Sequence, residues 1–279
     1  MTDADRAGLA DRADRAGLAG VRVLITRGGA AGERDAAEVR GLGGEPLLAP
    51  LTDIAPPADS GPLRDAAAAW NRGDYDWLLM TSANAADAFA AAGARALQSD
   101  TPAASSARIA AVGPATADAL RAHGLDPDLV PPADYSAVGL AAALLELPLD
   151  GSLRFLLPVS ELADRTLETA LQGAGHRVDR VTAYRTLPAS RDTAIEERVA
   201  RGEIDVILVL SGSGAHEVAR RFAPLPPGVR LAAIGAPSAR ALAEHGLVAD
   251  IVAEPHTVSN LLDRVALTSF PSTSGGSPA

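Results

Sequence analysis

The chain has 279 residues, 47% of them apolar and 22% charged, with a formal net charge of −10 and no cysteine. That length holds one large domain or two ordinary ones with ample core. The acidic balance argues against a nucleic-acid surface or an anionic membrane surface, and the missing thiols exclude disulfides, cysteine metal sites and thiol nucleophiles.

The first segment, residues 1–20, reads as a charged, Ala-rich leader, helical or disordered. ADRAGL at 4–9 returns at 13–18. It lacks the apolar core of a secretory signal, and no later run approaches the roughly 18 apolar residues of a spanning helix. A cytoplasmic location is therefore expected. VRVLIT (21–26) then reads as a strand, followed by a Gly-rich turn and a helix ended by Gly43 and Gly44. PLLAPLTDIAP is extended, with prolines at its edges. Residues 62–70 read as a helix and DWLLMT (76–81) as a strand; Ser82 and Asn84 are cap residues for the helix of 85–92.

Next comes IAAVGPATADALRAHGL (109–125). It returns at 231–247 as LAAIGAPSARALAEHGL, with nine of seventeen positions identical. Each copy gives a short buried strand, a Gly, a Pro near a helix start, a hydroxyl residue and a closing His-Gly. Gly113 and Gly235 suit a turn where backbone approaches something closely. Proline in the first turn removes no N–H that the helix needs. DLVP (128–131) reads as a short strand, and Ser136 caps a helix over 137–145.

At Leu153 the pattern restarts. LRFLLP parallels VRVLIT; ELADRTLETALQGAG reads as an amphipathic helix with Leu162, Leu167 and Leu171 near one face. VDRVTAYRTLP parallels PLLAPLTDIAP. DVILVL parallels DWLLMT, SGSGAHEVARRF parallels TSANAADAF, and DIVAEPHT parallels DLVPPADYS. Residues 21–145 and 153–267 thus read as two copies of one unit. Residues 271–279 are Ser/Gly/Pro-rich and read as a disordered tail. Apolar strands alternating with helices imply an α/β fold with parallel sheets covered on both faces, with ligands outside the carboxyl ends of the strands.

The chemistry-bearing motifs are mostly negative. GGAAGE at 28–33 lacks the P-loop lysine and the dinucleotide-binding glycine spacing. None of the five histidines lies at metal-ligand spacing in sequence, so no metal is expected. His123 and His245 read as helix-end histidines against the dipole. Ser211, His216 and Asp205 lack the G-x-S-x-G elbow of a hydrolase. What remains is a set of strand-to-helix turns with small hydroxyl residues: Thr81, Ser82 and Asn84; Gly113 and Thr116; Ser160; Ser211 and Ser213; Gly235 and Ser238. Taken singly each is a helix cap. Gathered at sheet edges they offer many N–H donors to a polycarboxylate or polyphosphate.

At T-S-A-N (81–84), A-V-G-P-A-T-A (111–117) and T-A-Y-R-T (182–186), the chain resembles the uroporphyrinogen-III synthases. The likeness extends through L-V-P-x-x-Y-S-A (129–137, one residue inserted) and A-E-x-H-T (253–257), from Val21 to about Val265. It implies two similar flavodoxin-like α/β domains from an internal duplication, joined by a two-stranded linker. One domain is 21–50 plus 189–270, the other 57–182, and the linker strands are 51–56 and 183–188. It implies an active site in the cleft between domains, where linear hydroxymethylbilane closes to uroporphyrinogen III with inversion of the terminal ring and loss of water, without cofactor. Tyr184 matches the family's linker tyrosine, the candidate proton donor to the departing hydroxyl. Thr116, Ser238, Ser82, Ser211 and Ser213 match its turn hydroxyls; Arg27, Thr81, Asn84, Gly113, Ser160 and Gly235 complete the set expected to hold the substrate carboxylates. The likeness also implies hand-over from hydroxymethylbilane synthase to a monomer, with no nucleic acid and no membrane as partner.

Departures from the family pattern lie mostly in the discontinuous domain. The usual I-G-P-T-T-A is Ile-Gly-Ala-Pro-Ser-Ala (234–239), T-S-P-S is Leu-Ser-Gly-Ser (210–213), Gly28 replaces a common proline, and Val159 stands where many members carry a base. The alternative function is a non-catalytic sensor module that binds a tetrapyrrole or another polyanion in the same fold. Relatives with an appended DNA-binding domain carry a basic helix-turn-helix segment; none is read here, which favours the enzyme.

Overall fold

A computed structural model describes residues 17–96, 107–268 and 270. The chain divides into two compact units, one from residues up to Asp53 together with those from Pro188 on, the other Ile54–Leu187. Each holds a five-stranded sheet.

In the discontinuous unit the strand order is β10-β9-β8-β1-β2. These are β1 (Arg22–Ile25), β2 (Glu45–Leu48), β8 (Val206–Val209), β9 (Arg230–Ala233) and β10 (Ile251–Val252). All neighbours in it are parallel. Successive side chains of a strand point to opposite faces, so the two faces carry separate cores. Val23, Ile25, Val206 and Leu208 pack with Val39 of α1 (Gly29–Gly41) and with Leu261, Leu262 and Val265 of α10 (Val258–Ala266). Leu24, Ile207 and Val209 pack with Val199 of α7 (Thr193–Ala200), Val218 and Phe222 of α8 (Gly212–Phe222), and Leu242 of α9 (Ala236–Ala243).

The continuous unit repeats this plan. Its order is β3-β7-β6-β4-β5, from β3 (Thr52–Ala55), β4 (Trp77–Met80), β5 (Arg108–Ala111), β6 (Arg154–Ser160) and β7 (Arg177–Pro188). Leu78, Met80, Ala111 and Leu156 face α2 (Gly61–Asn71), α3 (Ala83–Ala91) and α4 (Pro114–Ala122), where Trp70, Phe89 and Leu120 are buried. Leu79, Phe155 and Leu157 face α5 (Ala137–Leu145) and α6 (Thr166–Gly173) through Leu140, Leu144, Leu167 and Leu171. Each central strand pair, β1·β8 and β4·β6, joins one strand from each half of the sequence.

The same polar closures recur in both sheets. Asp205 accepts the Arg22 N–H at 2.7 Å, and Asp76 accepts the Arg154 N–H at 2.7 Å. Asp250 accepts from Leu231 N–H at 2.8 Å and Asp128 from Ile109 N–H at 2.7 Å. Burial opposes ionisation of Asp205, but the hydrogen bonds from Arg22 outweigh it and hold its carboxyl below the usual range.

Several expectations shift. Residues 1–16 and 271–279 of the expected leader and tail lie outside the described residues, yet Leu18 is fully buried and its N–H donates to Leu42 C=O at 2.7 Å. The leader therefore contributes to the core from Leu18 on. The strand expected at 128–131 is a single bridge between Leu129 and Ala110, because Pro131 and Pro132 have no N–H to extend a ladder. The helix expected from 161 starts only at Thr166. The Asp164 carboxylate accepts from Thr166 N–H at 2.8 Å and the Ser160 hydroxyl from Leu162 N–H at 3.3 Å, which hold the backbone in a turn, and Leu162 is exposed.

Arg221 closes the discontinuous unit. Its buried guanidinium donates to Glu217 (2.8 Å) and to the carbonyls of Leu51 (3.1 Å), Ala189 (2.5 Å) and Ser190 (3.3 Å). These carbonyls belong to the segments where the chain leaves and re-enters the unit. Arg220 pairs with the same Glu217 but is exposed. Replacing Arg221 with Leu leaves the buried Glu217 with only the exposed Arg220 as partner and takes a donor from each of three carbonyls, of which Leu51 C=O keeps the Ala189 N–H, so the unit should lose about 3–5 kcal/mol. Arg220→Ala should cost under about 1 kcal/mol. Equal losses in denaturant melts of the two variants would refute this assignment.

Candidate functional site

In the continuous unit, strands β4, β5 and β6 all end at one edge, and the candidate residues follow them. Ser82 is the N-cap of α3 in extended backbone, so its hydroxyl can turn back over the helix start. Its Oγ accepts from Ala85 N–H at 3.1 Å and donates to the Tyr184 hydroxyl at 3.2 Å. Tyr184 lies on β7 and is buried to 9% exposure. Its register partner across the ladder is Ser160, the last residue of β6, where a bulge interrupts the pairing. Its carbonyl accepts from Glu161 N–H at 3.0 Å. Three expected site residues from distant parts of the sequence thus meet at one sheet edge: Ser82, Ser160 and Tyr184.

Thr81 sits half-buried just before Ser82, and Asn84 is exposed in the first turn of α3. Gly113 caps α4 with no side-chain hydrogen bond, and Thr116, buried to 5%, follows in the first turn. Among the described residues the Thr116 hydroxyl has no hydrogen-bond partner, whereas Ser82 is engaged.

The other candidates belong to the discontinuous unit. Ser211 caps α8, accepting from Gly214 N–H at 3.0 Å, and its Oγ lies 3.1 Å from Ser213 Oγ. Gly235 caps α9 without a side chain, and Ser238 is buried in the first turn. Arg27 follows β1, but its guanidinium is bound at both ends by the buried Asp35, at 2.5 and 2.6 Å. Its charge is largely neutralised there, which reduces what it can offer a substrate carboxylate.

Sequence reasoning marked His256, before Thr257 at a helix start, as a residue that could face a ligand and Tyr135 only as part of a motif; it did not place either ring over a glycine. An added Cβ at Gly113 would stand 3.0 Å from Tyr135, and one at Gly235 would stand 2.7–2.9 Å from the ring of His256. Both glycines are extended, a conformation any residue adopts. They are required because a ring lies on them. The signal was available: Tyr135 and His256 each immediately precede a hydroxyl N-cap, Ser136 and Thr257. The expectation that His123 only meets a helix dipole also changes, since His123 pairs with Asp87 at 2.8 Å.

A cavity of about 380 Å³ in the continuous unit lies between α2 and β7, lined by Pro62, Asp65, Tyr75, Asp179 and Val181 among others. It holds the second buried tyrosine. Burial first, then the hydrogen bond to Asp179 at 3.0 Å, push the Tyr75 hydroxyl up to about 12. A phenol committed to a carboxylate is a poor proton donor to anything else, so Tyr75 is structural. Tyr184 instead receives a hydrogen bond from a hydroxyl, which leaves its own proton free. Among the described residues no group of three or more His, Asp or Glu could hold a metal ion, and no helix is long and apolar enough to cross a membrane.

Residues 33–263 match the family described as Uroporphyrinogen-III synthase HemD. A Uroporphyrinogen-III synthase of Synechococcus elongatus is 36% identical over 170 residues, covering 60% of this chain and 61% of that protein. The Porphyrin biosynthesis protein HemD of Ruminiclostridium josui is 25% identical over 89% of this chain and 48% of its own length. Both matches therefore cover less than two thirds of those relatives. A solved structure of a mutant Uroporphyrinogen III Synthase from Thermus thermophilus superposes with a TM-score of 0.58 at 28% identity, covering 88% of this chain and 98% of that one.

The ring over Gly235 gives a test. Gly235→Ala should force His256 aside and cost about 1–3 kcal/mol by overpacking. In a His256→Ala background the same change should cost less by about 1 kcal/mol or more. A thermal-unfolding cycle showing the same cost in both backgrounds would mean that the ring does not dictate the glycine.

Proposed function

The chain belongs to the uroporphyrinogen-III synthase family, and on that premise we propose that it is a cyclising hydro-lyase that converts hydroxymethylbilane to uroporphyrinogen III. In this reaction the C–O bond of the hydroxymethyl group breaks and the hydroxyl leaves as water. The resulting azafulvene is attacked by the terminal ring at its substituted carbon, and the spiro intermediate rearranges so that this ring is inverted. No metal is required by the chemistry, since the pyrrole nitrogen supplies the electron pair that expels the leaving group. The protein must protonate the departing oxygen and fix which ring atom attacks.

The observation that supports this best is the hydrogen-bond relay from Ala85 N–H through Ser82 Oγ to the Tyr184 hydroxyl. Ala85 N–H donates to Ser82 Oγ and Ser82 in turn to the Tyr184 oxygen, so the tyrosine's own O–H is directed elsewhere and can be given to the leaving hydroxyl. The phenolate oxygen left behind keeps the Ser82 hydrogen bond, which draws on the positive end of α3. The substrate carries eight carboxylates and the protein a charge of −10. Local donors must therefore hold it. The continuous unit offers the Gly-capped start of α4 with the Thr116 hydroxyl, and the discontinuous unit by itself has the like arrangement at α9 with Ser238. The reaction would take place in the cytoplasm on substrate handed over by hydroxymethylbilane synthase, with a monomer as the working form.

Tyr184→Phe should lower kcat/KM by about 100- to 10,000-fold, the usual worth of general acid help. Ser82→Ala keeps the phenol but loses one hydrogen bond to it, and should cost roughly tenfold. Both are read in a coupled assay with fresh hydroxymethylbilane. A Tyr184→Phe enzyme near wild type would remove the tyrosine from the chemistry. Parent and variants equally inactive, yet still binding a linear tetrapyrrole, would favour the sensor module.

A further inference from the structure

We propose that His216 and His245 form a two-imidazole site for a divalent transition-metal ion on the discontinuous unit, independent of the reaction proposed above. His216 lies in the second turn of α8 and His245 two residues beyond the end of α9. Twenty-nine positions separate them in sequence, so no local motif betrays them. The fold brings His216 Nδ1 to 2.6 Å from His245 Nε2, with the rings nearly perpendicular at 87°. Both side chains are exposed.

Two ring nitrogens that face each other share one proton between two lone pairs. A divalent cation satisfies both lone pairs at once. Zinc takes imidazole nitrogen at about 2.0–2.1 Å, which sets two tetrahedral ligands about 3.3 Å apart. The rings need to separate by less than an ångström, and they are free to do so at the surface. Their backbones are firmly set, because α8 and α9 meet closely enough for a Cβ at Gly212 to touch Ala241 at 3.8 Å. Solvent completes the coordination, and the acidic chain raises the local cation concentration.

The other unit provides an internal contrast. At the corresponding place between α3 and α4 the pair is Asp87 and His123, 2.8 Å apart. A carboxylate and an imidazole complete one another, an acceptor facing a ring N–H. Where the continuous unit has that carboxylate the discontinuous unit has His216, so two nitrogen ligands face each other.

The test uses the full chain and the metals alone. Calorimetric titration with zinc chloride should show one ion per chain, and paramagnetic resonance with copper(II) should show two coordinated nitrogens. His216→Gln and His245→Gln should each weaken zinc binding by about 100-fold or more, the gain a second preorganised ligand provides. His123→Gln should change nothing. Both altered side chains are exposed, and unchanged circular dichroism will verify the fold. The proposal is overturned if the double variant binds zinc as tightly as the parent, if copper shows fewer than two nitrogens, or if His123→Gln alone abolishes binding.

Discussion

The discontinuous unit depends on a single buried cation. The chain leaves it after Asp53 and re-enters at Pro188, and beside that crossing Ala189 N–H donates to Leu51 C=O at 2.9 Å. One such bond is a weak closure for a unit built from two distant segments. Arg221 adds donors to three carbonyls of the same crossing, and Glu217 neutralises it there. Burial works against ionised Glu217, yet hydrogen bonds from Arg220 and Arg221 leave its acidity stronger than usual. The cost of burying the pair is offset by a nearly complete set of hydrogen bonds. With that crossing fixed, β1 can pair with β8 and bury two cores at once.

The same geometry produces the candidate site. In both units parallel strands feed helices at one sheet edge, and the helix starts are capped in two ways. Where a hydroxyl caps, as at Ser82 and Ser211, it consumes an N–H and is itself placed for further hydrogen bonds. Where glycine caps, at Gly113 and Gly235, no side chain takes a first-turn N–H and an aromatic ring covers the bare backbone. Ser82 and Tyr184 show how such a cap reaches across the sheet edge: the serine accepts from the helix start and donates to a phenol.

Much of this was legible in the sequence, for identifiable reasons. Continuous apolar runs marked the strands because they are buried on both faces, as in Val206–Val209. The repeat marked equivalent turns, and the sheets carry their corresponding strands in the same order; that a duplication produced them is our inference from sequence. Cap residues were readable at Ser82, Ser136, Ser211 and Thr257 because their role is local. Contacts between distant segments were not. Arg221 against Leu51, Tyr184 against Ser82, His216 against His245 and the ring of His256 over Gly235 all require the fold first. Local side-chain competition also hid the late start of α6, where Asp164 and Ser160 hold a turn that apolar spacing alone would have made helical.

The central claim is that this chain directs ring closure rather than merely binding a tetrapyrrole. Free hydroxymethylbilane closes without inversion, so the isomer formed identifies the catalyst. The decisive measurement is the isomer composition of the product when the unmodified chain meets fresh hydroxymethylbilane, separated after oxidation to the porphyrins. The account predicts the type III isomer in large excess over a protein-free control. Type I alone, at the rate of that control, would contradict it.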